Sequence, residues 1–285
     1  MNLRAPQNPE RGFSLVELLV ALGIFLLITG AAFTLLSSSQ RRYQTESQVL
    51  TSFQEARLGL DQMVRDINDA GFPPPSYANI DPTRVTTAPF GWQPGYTVIP
   101  PNACQIGATC FTPADFDIII ETEPNPQDPS CFPGCQVQWI RYQLQGTTLM
   151  RGMVAKRAPS YDPAFETSAP GVLGPFVQNV VNNCANLQGS SDPQVSSLCQ
   201  LAAQNPAVAN PVPIFRYNCD EPSLSQALPL PTAPCPSAAP ADNAPANIRD
   251  VAITLIVAAP LPDSANGLPR LVQLEGRGRR INPNQ

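Results

Sequence analysis

Glu17 is the residue near the N-terminus whose type and position require a chemical explanation. It is the single charged residue in the apolar run over residues 13–36. An ionisable side chain at the middle of a bilayer costs roughly 2.5–3.5 kcal/mol on insertion scales. A simple membrane anchor gains nothing from that cost, and no lysine or arginine lies between Phe13 and Gln40 to pair with the carboxylate. The segment itself therefore offers no partner for the Glu17 carboxylate, and its role needs another explanation.

Eight cysteines form the second group of reactive side chains, and all of them lie beyond the apolar run. An even number of cysteines in an exported chain indicates disulfides. Zinc and free thiols are the alternatives, but the chain has no C-x-x-C pair, and the closest cysteines are spaced too widely for a zinc ribbon. Because each neighbouring pair brackets a turn-rich or proline-rich loop, we predict the pairs Cys104–Cys110, Cys131–Cys135, Cys184–Cys199 and Cys219–Cys235.

The composition excludes several classes of catalytic site. Histidine is absent, which removes Ser-His-Asp and Cys-His nucleophile arrangements and every histidine-containing zinc site. Lys156 is the one lysine, so Schiff-base chemistry has a single candidate residue. The net charge of −5 argues against a nucleic-acid partner, which favours a basic protein face. We therefore expect no enzymatic activity, no cofactor, no metal and no nucleic-acid partner.

Acidic residues keep a second class of function open, namely a membrane-anchored enzyme or binding module outside the cytoplasm. Calcium could bind in the loops at Asp242-Asn243 or at residues 263–266, although ordinary turn chemistry explains both. Without histidine, catalysis would have to use carboxylates. The candidate carboxylates are Asp115, Asp117, Glu121 and Glu123. They are better explained as solvated charges that flank a strand.

The apolar run is long enough to cross a membrane as a helix. Residues 13–36 would extend about 36 Å, against a hydrocarbon core of ~30 Å. Residues 1–12 are polar, with Arg4 and Arg11 outweighing Glu10, so we expect them to stay cytoplasmic. A secretory signal peptide has a shorter apolar core, and a lipoprotein signal needs a cysteine directly after it. A plain signal anchor fits the length but leaves Glu17 unexplained.

An apolar stripe predicts that the helix continues beyond the membrane. Apolar residues recur in steps of four and three through residues 49–70, which is the period of a helix with one buried face. Gly71, followed by Phe72 and three prolines, then ends the helix. We predict one helix over residues 13–71, amphipathic in its second half (37–71), where it packs on the head. The stripe consists of Val49, Phe53, Ala56, Leu60, Met63, Ile67 and Ala70, widened by Leu50, Leu58 and Val64.

Residues 72–285 form a β-rich head in this interpretation. A turn at residues 145–147 joins two strands into a hairpin, and the apolar residues of its first strand change phase midway, which suggests a bulge. The run at residues 251–257 is apolar on both faces and is predicted to be a central strand. Asp192 and Pro193 open a small helix. The predicted strands cover residues 116–121, 137–144, 148–154, 214–217, 251–257 and 270–281.

The segment Arg11-Gly12-Phe13-Ser14-Leu15-Val16-Glu17 resembles the class III signal of type IV pilins and type II secretion pseudopilins. The resemblance implies that a prepilin peptidase of the inner membrane cuts between Gly12 and Phe13 and methylates the new amine of Phe13. Glycine suits a cut site because the absence of Cβ lets catalytic groups approach the backbone. The cationic amine is then the expected partner of Glu17, within one helix or between staggered subunits.

Two further segments narrow the resemblance. Residues 65–72 resemble the helix end of PilW-type minor pilins, and the hairpin from Trp139 to Arg151 resembles one shared by PilW-type pilins and J-type pseudopilins. The implied fold is the α+β type IV pilin fold, in which a long N-terminal helix packs on an antiparallel β-sheet. Here its loops would be rich in proline and joined by disulfides.

The resemblance also implies a function and a set of partners. A minor pilin primes pilus assembly from the inner membrane, with its head in the periplasm, and then lies at the pilus tip. Its partners would be other minor pilins and the major pilin, through the N-terminal helix, and a tip adhesin. The alternative within the same architecture is a J-type minor pseudopilin of a type II secretion system.

Overall fold

A computed structural model describes residues 12, 14–72, 86, 88–92, 106, 112–123, 136–156, 162–220, 232–235, 244–263 and 266–280. The chain forms two compact units, residues 1–47 and residues 48–285. The helices are α1 (Leu15–Asn68), α2 (Pro163–Thr167), α3 (Cys184–Leu187) and α4 (Pro193–Ala202). The strands are β1 (Asp117–Thr122), β2 (Gln138–Gln145), β3 (Thr148–Ala155), β4 (Leu173–Val177), β5 (Phe215–Asp220), β6 (Thr232–Pro234), β7 (Ile248–Pro262) and β8 (Pro269–Arg279).

The predicted α+β class, with a long N-terminal helix and antiparallel strands, is confirmed, but the strands divide into two sheets. The first sheet has the order β1-β2-β3-β4 and the second the order β6-β5-β7-β8. β7 lies between β5 and β8, as predicted for a central strand, and it is 15 residues long. β5 pairs only with the first half of β7. In the second half, Val257 forms an isolated antiparallel bridge with Val180.

The helix end follows the local sequence signal. α1 ends at Asn68, and Gly71 adopts a positive φ of 84°, which glycine reaches without the Cβ clash that other residues meet. The Gly71 N–H then donates to the Glu121 carbonyl at 2.9 Å. The glycine thus ends the helix and joins its end to β1.

The predicted bulge in the hairpin is wrong. β2 pairs with both β1 and β3 in uninterrupted register, and the irregularity lies between Leu149 and Met150, where β3 pairs with β4. Trp139 and Tyr142 lie on opposite faces of β2, and both are buried. The apparent change of phase arises because both faces of β2 are covered.

The apolar stripe of α1 is the helix face that enters the core of the second unit. Ala56, Met63 and Ile67 are fully buried there. The widening of the stripe was predicted incorrectly for Leu50 and Leu58, which are 61% and 71% exposed. A helical period identifies the centre of a buried face more securely than its margins, because the margin depends on the width of the surface that covers it.

Two disulfides lie in the described part of the head. Cys184 bonds Cys199, joining α3 to α4, and Cys219 bonds Cys235, joining β5 to the residue after β6. These are two of the four neighbouring pairs expected from the sequence. The other four cysteines lie outside the described residues, so their pairing stays a prediction.

Two glycines of β8 allow α1 to approach the sheet closely. A Cβ on Gly278 would lie 2.5 Å from Ile67 Cγ2 and 3.3 Å from the Val64 carbonyl oxygen. Gly276 makes a similar close approach to Leu60. Alternating glycines in a strand thus provide a groove for the helix, which accords with the usual meaning of glycine inside a strand.

We predict that Gly278→Ala lowers the free energy of unfolding by about 1–3 kcal/mol, the usual cost of overpacking a core. Denaturant unfolding of the purified protein measures this loss. Gly174→Ala in β4 is the matched control, since no atom lies within 4 Å of its added Cβ. Equal stability of the two variants would contradict the close-packing argument.

Candidate functional site

Ser14 and Glu17 form a reciprocal pair of hydrogen bonds at the start of α1. The Ser14 N–H donates to Glu17 Oε2 at 3.0 Å, and the Glu17 N–H donates to Ser14 Oγ at 3.2 Å. This is a capping box, which satisfies two of the backbone donors that a helix start leaves without partners. The S-x-x-E spacing is a sequence signal for this structure, and the sequence analysis above did not use it.

The capping box fixes where the Glu17 carboxylate lies. It is held at the first turn of the helix, beside the backbone of Ser14, and Glu17 is exposed. Negative charge is also favoured at this position by the helix dipole. Gly12 is exposed, with no atom within 4 Å of where a Cβ would lie. Phe13, the predicted methylation residue, lies outside the described residues.

The first part of α1 presents apolar side chains to its surroundings. Leu19, Phe25 and Leu27 are 57%, 64% and 76% exposed, and the other large apolar residues of this segment are comparable. In the described residues, α1 is the one helix that is long and apolar enough to cross a membrane. A surface of this kind must be covered by lipid or by other helices, because water solvates it poorly.

In the head, a buried polar cluster joins α1 to the hairpin. Tyr142 donates its hydroxyl to Asp66 Oδ2 at 2.5 Å, and Arg151 Nη2 lies 3.0 Å from the same oxygen. The Arg151 Nε also donates to the Tyr142 hydroxyl at 2.9 Å. Asp66 is 6% exposed and Tyr142 is fully buried. The cluster therefore satisfies a buried carboxylate and fixes the helix against β2 and β3.

The sequence analysis identified the two segments that contain this cluster, but it did not predict the contacts between them. Asp66 belongs to the resemblance at the helix end, whereas Tyr142 and Arg151 belong to the resemblance at the hairpin. Their convergence gives a physical reason for the two motifs to occur together. Asp66 was missed as a buried residue because a carboxylate beside an apolar stripe ordinarily indicates a solvated edge.

We predict that Tyr142→Phe lowers the free energy of unfolding by about 1–3 kcal/mol at neutral pH, because Asp66 loses a buried donor. Burial, and then the charge of Asp66, raises the pKa of Tyr142. The unfolded tyrosine ionises near pH 10. Above that pH the unfolded parent protein has therefore lost a tyrosine proton that the folded protein still holds. Its advantage over Tyr142→Phe should therefore shrink above pH 10, by about 1.4 kcal/mol per pH unit. Urea unfolding of both proteins from pH 7 to 11 measures this; a constant difference would contradict it.

The four carboxylates considered for catalysis do not form one site. Asp115 lies at the surface. The part of its environment that is shielded from water raises its pKa, and the positive charge of Arg216 opposes that rise. Asp117 is buried and makes a two-point contact with Arg141, at 2.5 Å and 2.9 Å. Burial raises the pKa of Asp117, opposed by its hydrogen bond to Arg141. Asp115 and Asp117 border an open cavity of about 930 Å³ beside β5, whose lining does not include Glu121.

The prediction that these carboxylates are solvated is wrong for three of them. Asp117, Glu121 and Glu123 are 6%, 2% and 6% exposed. Glu121 Oε1 lies 2.6 Å from Lys156 Nζ, and the side chains in this pair are 3% and 1% exposed. Asp117 and Glu121 lie within β1, and Glu123 follows it directly. The sequence could not show that residues 89–91 bond the edge of this strand or that α2 packs beside Arg141, the partner of Asp117.

The loop considered for calcium contains an ordinary turn where the structure describes it. Asp263 pairs with Arg270 at 2.8 Å, and its backbone bonds those of Gly267 and Leu268. Asp242 and Asn243 lie outside the described residues. Within the described residues, no three acidic or sulfur ligands come together in a way that could hold a metal ion.

Comparisons with known proteins agree with the N-terminal signal. The family described as the prokaryotic N-terminal methylation motif matches residues 7–33. Among solved structures, a type IV-like pilin from Thermus thermophilus aligns at 11% identity and a TM-score of 0.37, covering 81% of this chain and 97% of that chain. No curated protein matches this chain. The chain thus carries an N-terminal methylation motif, and the matched residues include Gly12, Phe13, Ser14 and Glu17.

Proposed function

We propose that this chain is a minor pilin of the PilW type, which a prepilin peptidase cuts between Gly12 and Phe13 and methylates on Phe13. The match of residues 7–33 to the methylation motif is the observation that carries the proposal. The long helix that continues from the motif, with exposed apolar side chains, supports it. The function is assembly by non-covalent packing, with no catalytic step of its own.

Glu17 has two successive partners in this proposal. In the separate subunit its carboxylate accepts from the Ser14 N–H. During assembly it meets the cationic amine on Phe13 of the neighbouring subunit, in the low-dielectric environment between helices. A buried charge that finds an opposite charge is much less unfavourable than one that does not. The pair therefore sets the axial stagger of adjacent helices.

The proposed location follows from the two halves of the chain. Before assembly, residues 13–36 span the inner membrane and the head lies in the periplasm. Both disulfides of the described head suit an oxidising compartment. After assembly, the chain lies at the pilus tip, with other minor pilins and an adhesin, and contacts the major pilin through α1. Assembly in a type II secretion system is the second candidate, because the hairpin resemblance is shared with J-type pseudopilins.

Mass spectrometry of the protein from bacterial membranes tests the first step. We expect an N-terminus at Phe13 with one added methyl group. Gly12→Val should remain uncut and keep residues 1–12. Lys156 is the one lysine, and its side chain is 1% exposed, so an amine-reactive reagent should label the native protein at its N-terminus alone. An N-terminus near Phe33, as a secretory signal peptidase would leave, would contradict the proposal.

Co-purification from membranes decides between pilus and secretion system. Mild crosslinking followed by identification of the captured chains should recover other minor pilins and a tip adhesin. Recovery of secretion pseudopilins alone would assign the chain to the second candidate and overturn the pilus role. Loss of surface pili on deletion of the gene is the independent readout expected for the pilus role.

A further inference from the structure

Two arginines and a tyrosine follow the apolar part of α1 along the helix. Residues 18–40 contain no charged side chain, and Arg41, Arg42 and Tyr43 then occur in succession. All three are exposed, Tyr43 by 75%, and neither arginine forms an ion pair with a described residue. Glu46 lies one turn beyond Arg42, but a cation that precedes the acid is the weaker order of such a pair. Both guanidinium groups are thus available to a partner outside the chain.

Their succession gives these three side chains one height along the helix and three directions around it. Consecutive residues of an α-helix differ by about 100° around the axis and by about 1.5 Å along it, so the three lie within about 3 Å in height. A partner helix would contact residues three or four apart on one face. A ring of two cations and an aromatic residue at one height instead fits a planar surface that the helix crosses, such as a membrane interface.

The position of this ring agrees with the lipid headgroups on the periplasmic side of the membrane. Arg41 comes five residues after Leu36, the last residue of the apolar run, which is about 7.5 Å along a helix. Each headgroup layer is roughly 5–8 Å thick, since a bilayer of ~40–45 Å encloses a hydrocarbon core of ~30 Å. Helical side chains also lean toward the helix N-terminus, which here is the membrane side. A long arginine side chain can therefore reach back to the lipid phosphates while its stem lies along apolar surface.

We propose that Arg41 and Arg42 bind the phosphate groups of anionic lipids, with Tyr43 beside them in the headgroup layer. A guanidinium group donates paired hydrogen bonds to phosphate, and tyrosine favours this layer because its ring is apolar and its hydroxyl is polar. The two arginines point in different directions, so each binds a separate lipid. The inference rests on the proposed membrane placement of residues 13–36 and adds a ligand that holds the subunit at the periplasmic surface before assembly.

Native mass spectrometry of the mature full chain tests the contact, in micelles with equal amounts of phosphatidylglycerol and phosphatidylcholine. Each arginine is expected to retain the anionic lipid about fivefold more strongly than the zwitterionic one, from the usual attraction of one cation to an anionic surface. Arg41→Gln and Arg42→Gln should each lose one retained phosphatidylglycerol, and the double variant should lose two. The preference should also shrink as salt rises to about 1 M, where the Debye length is about 3 Å.

Arg57→Gln is the matched control for the loss of one positive charge. Arg57 is also exposed on α1 and forms no ion pair with a described residue, but it belongs to the second compact unit. This variant should retain as much phosphatidylglycerol as the parent. The Phe13 amine is the same in all of these chains, so lipid bound there does not alter the comparison.

Vesicle flotation separates the two ways in which the proposal can fail. A chain that does not float with vesicles would overturn the membrane placement and the lipid contact together. A chain that floats, but whose preference for phosphatidylglycerol is absent or survives the double substitution, would overturn the lipid contact alone. If the double variant loses partner pilins in a pull-down while its lipid count is unchanged, the arginines contact protein and the proposal is wrong.

Discussion

Replacing Glu17 with leucine is expected to leave the chain processed, inserted and folded, and to weaken its association with partner pilins roughly 30-fold. The Phe13 amine of the neighbouring subunit would lose its counter-ion between packed helices. Removing one member of a buried charge pair typically costs about 3–5 kcal/mol. Partial wetting near the membrane surface reduces that figure, and ~2 kcal/mol corresponds to roughly 30-fold in an association constant. Pull-down of partner pilins, with a count of surface pili, measures the effect.

The capping box supplies two controls that separate the roles of Glu17. Glu17→Gln keeps an acceptor for the Ser14 N–H, because glutamine also completes a capping box, but it removes the charge. Ser14→Ala removes the cap from the Glu17 N–H, at a cost of about 1 kcal/mol to the helix start, and keeps the charge. We expect Glu17→Gln to impair assembly measurably, though less than leucine does, and Ser14→Ala to assemble nearly as well as the parent.

These variants give a clear negative result as well. If Glu17→Leu recruits partners and restores pili as well as the parent does, Glu17 has no part in assembly. If Ser14→Ala and Glu17→Leu are equally defective while Glu17→Gln is normal, the carboxylate acts only as a helix cap. Either outcome would overturn the charge-pair mechanism without affecting the cleavage and methylation predicted at Gly12 and Phe13.

Glu121→Ala is expected to lower the free energy of unfolding of the head by about 3–5 kcal/mol, because it removes the carboxylate that pairs with the buried Lys156 ammonium. The two atoms are 2.6 Å apart, and both side chains are almost fully buried. Glu121 also accepts from the Ala88 N–H through Oε2, at 3.3 Å. Its side chain therefore joins three separate parts of the chain, namely β1, the segment at Ala88 and the end of β3. Denaturant unfolding of purified protein measures the loss.

A double variant distinguishes the charge effect from a packing effect. Replacing both partners, as in Glu121→Gln with Lys156→Met, removes the buried charges together and should recover much of the stability lost by Glu121→Ala. Asp263→Ala is the matched control, since its partner Arg270 is 49% exposed and surface pairs contribute about 1 kcal/mol or less. A loss for Glu121→Ala no larger than for Asp263→Ala would show that the buried pair does not stabilise the head.

The features that the sequence predicted correctly are those set by neighbouring residues. The 3.6-residue period places Ala56, Met63 and Ile67 on one helix face, and Gly71 ends the helix because of its own backbone freedom. β7 was identified as central because apolar residues on both faces of a strand require cover on both. The N-terminal signal is likewise contained within consecutive residues, and the methylation motif matches it over residues 7–33.

Tertiary structure alone decided which charged residues are buried and with what partner. Asp66 meets Tyr142 and Arg151 across 76 and 85 residues of chain, and no local pattern encodes such a distance. Glu121 and Lys156 are also far apart in the sequence, and the residues around each of them would place both side chains in solvent. A charge is buried only when a distant segment brings an opposite charge and a covering layer to it.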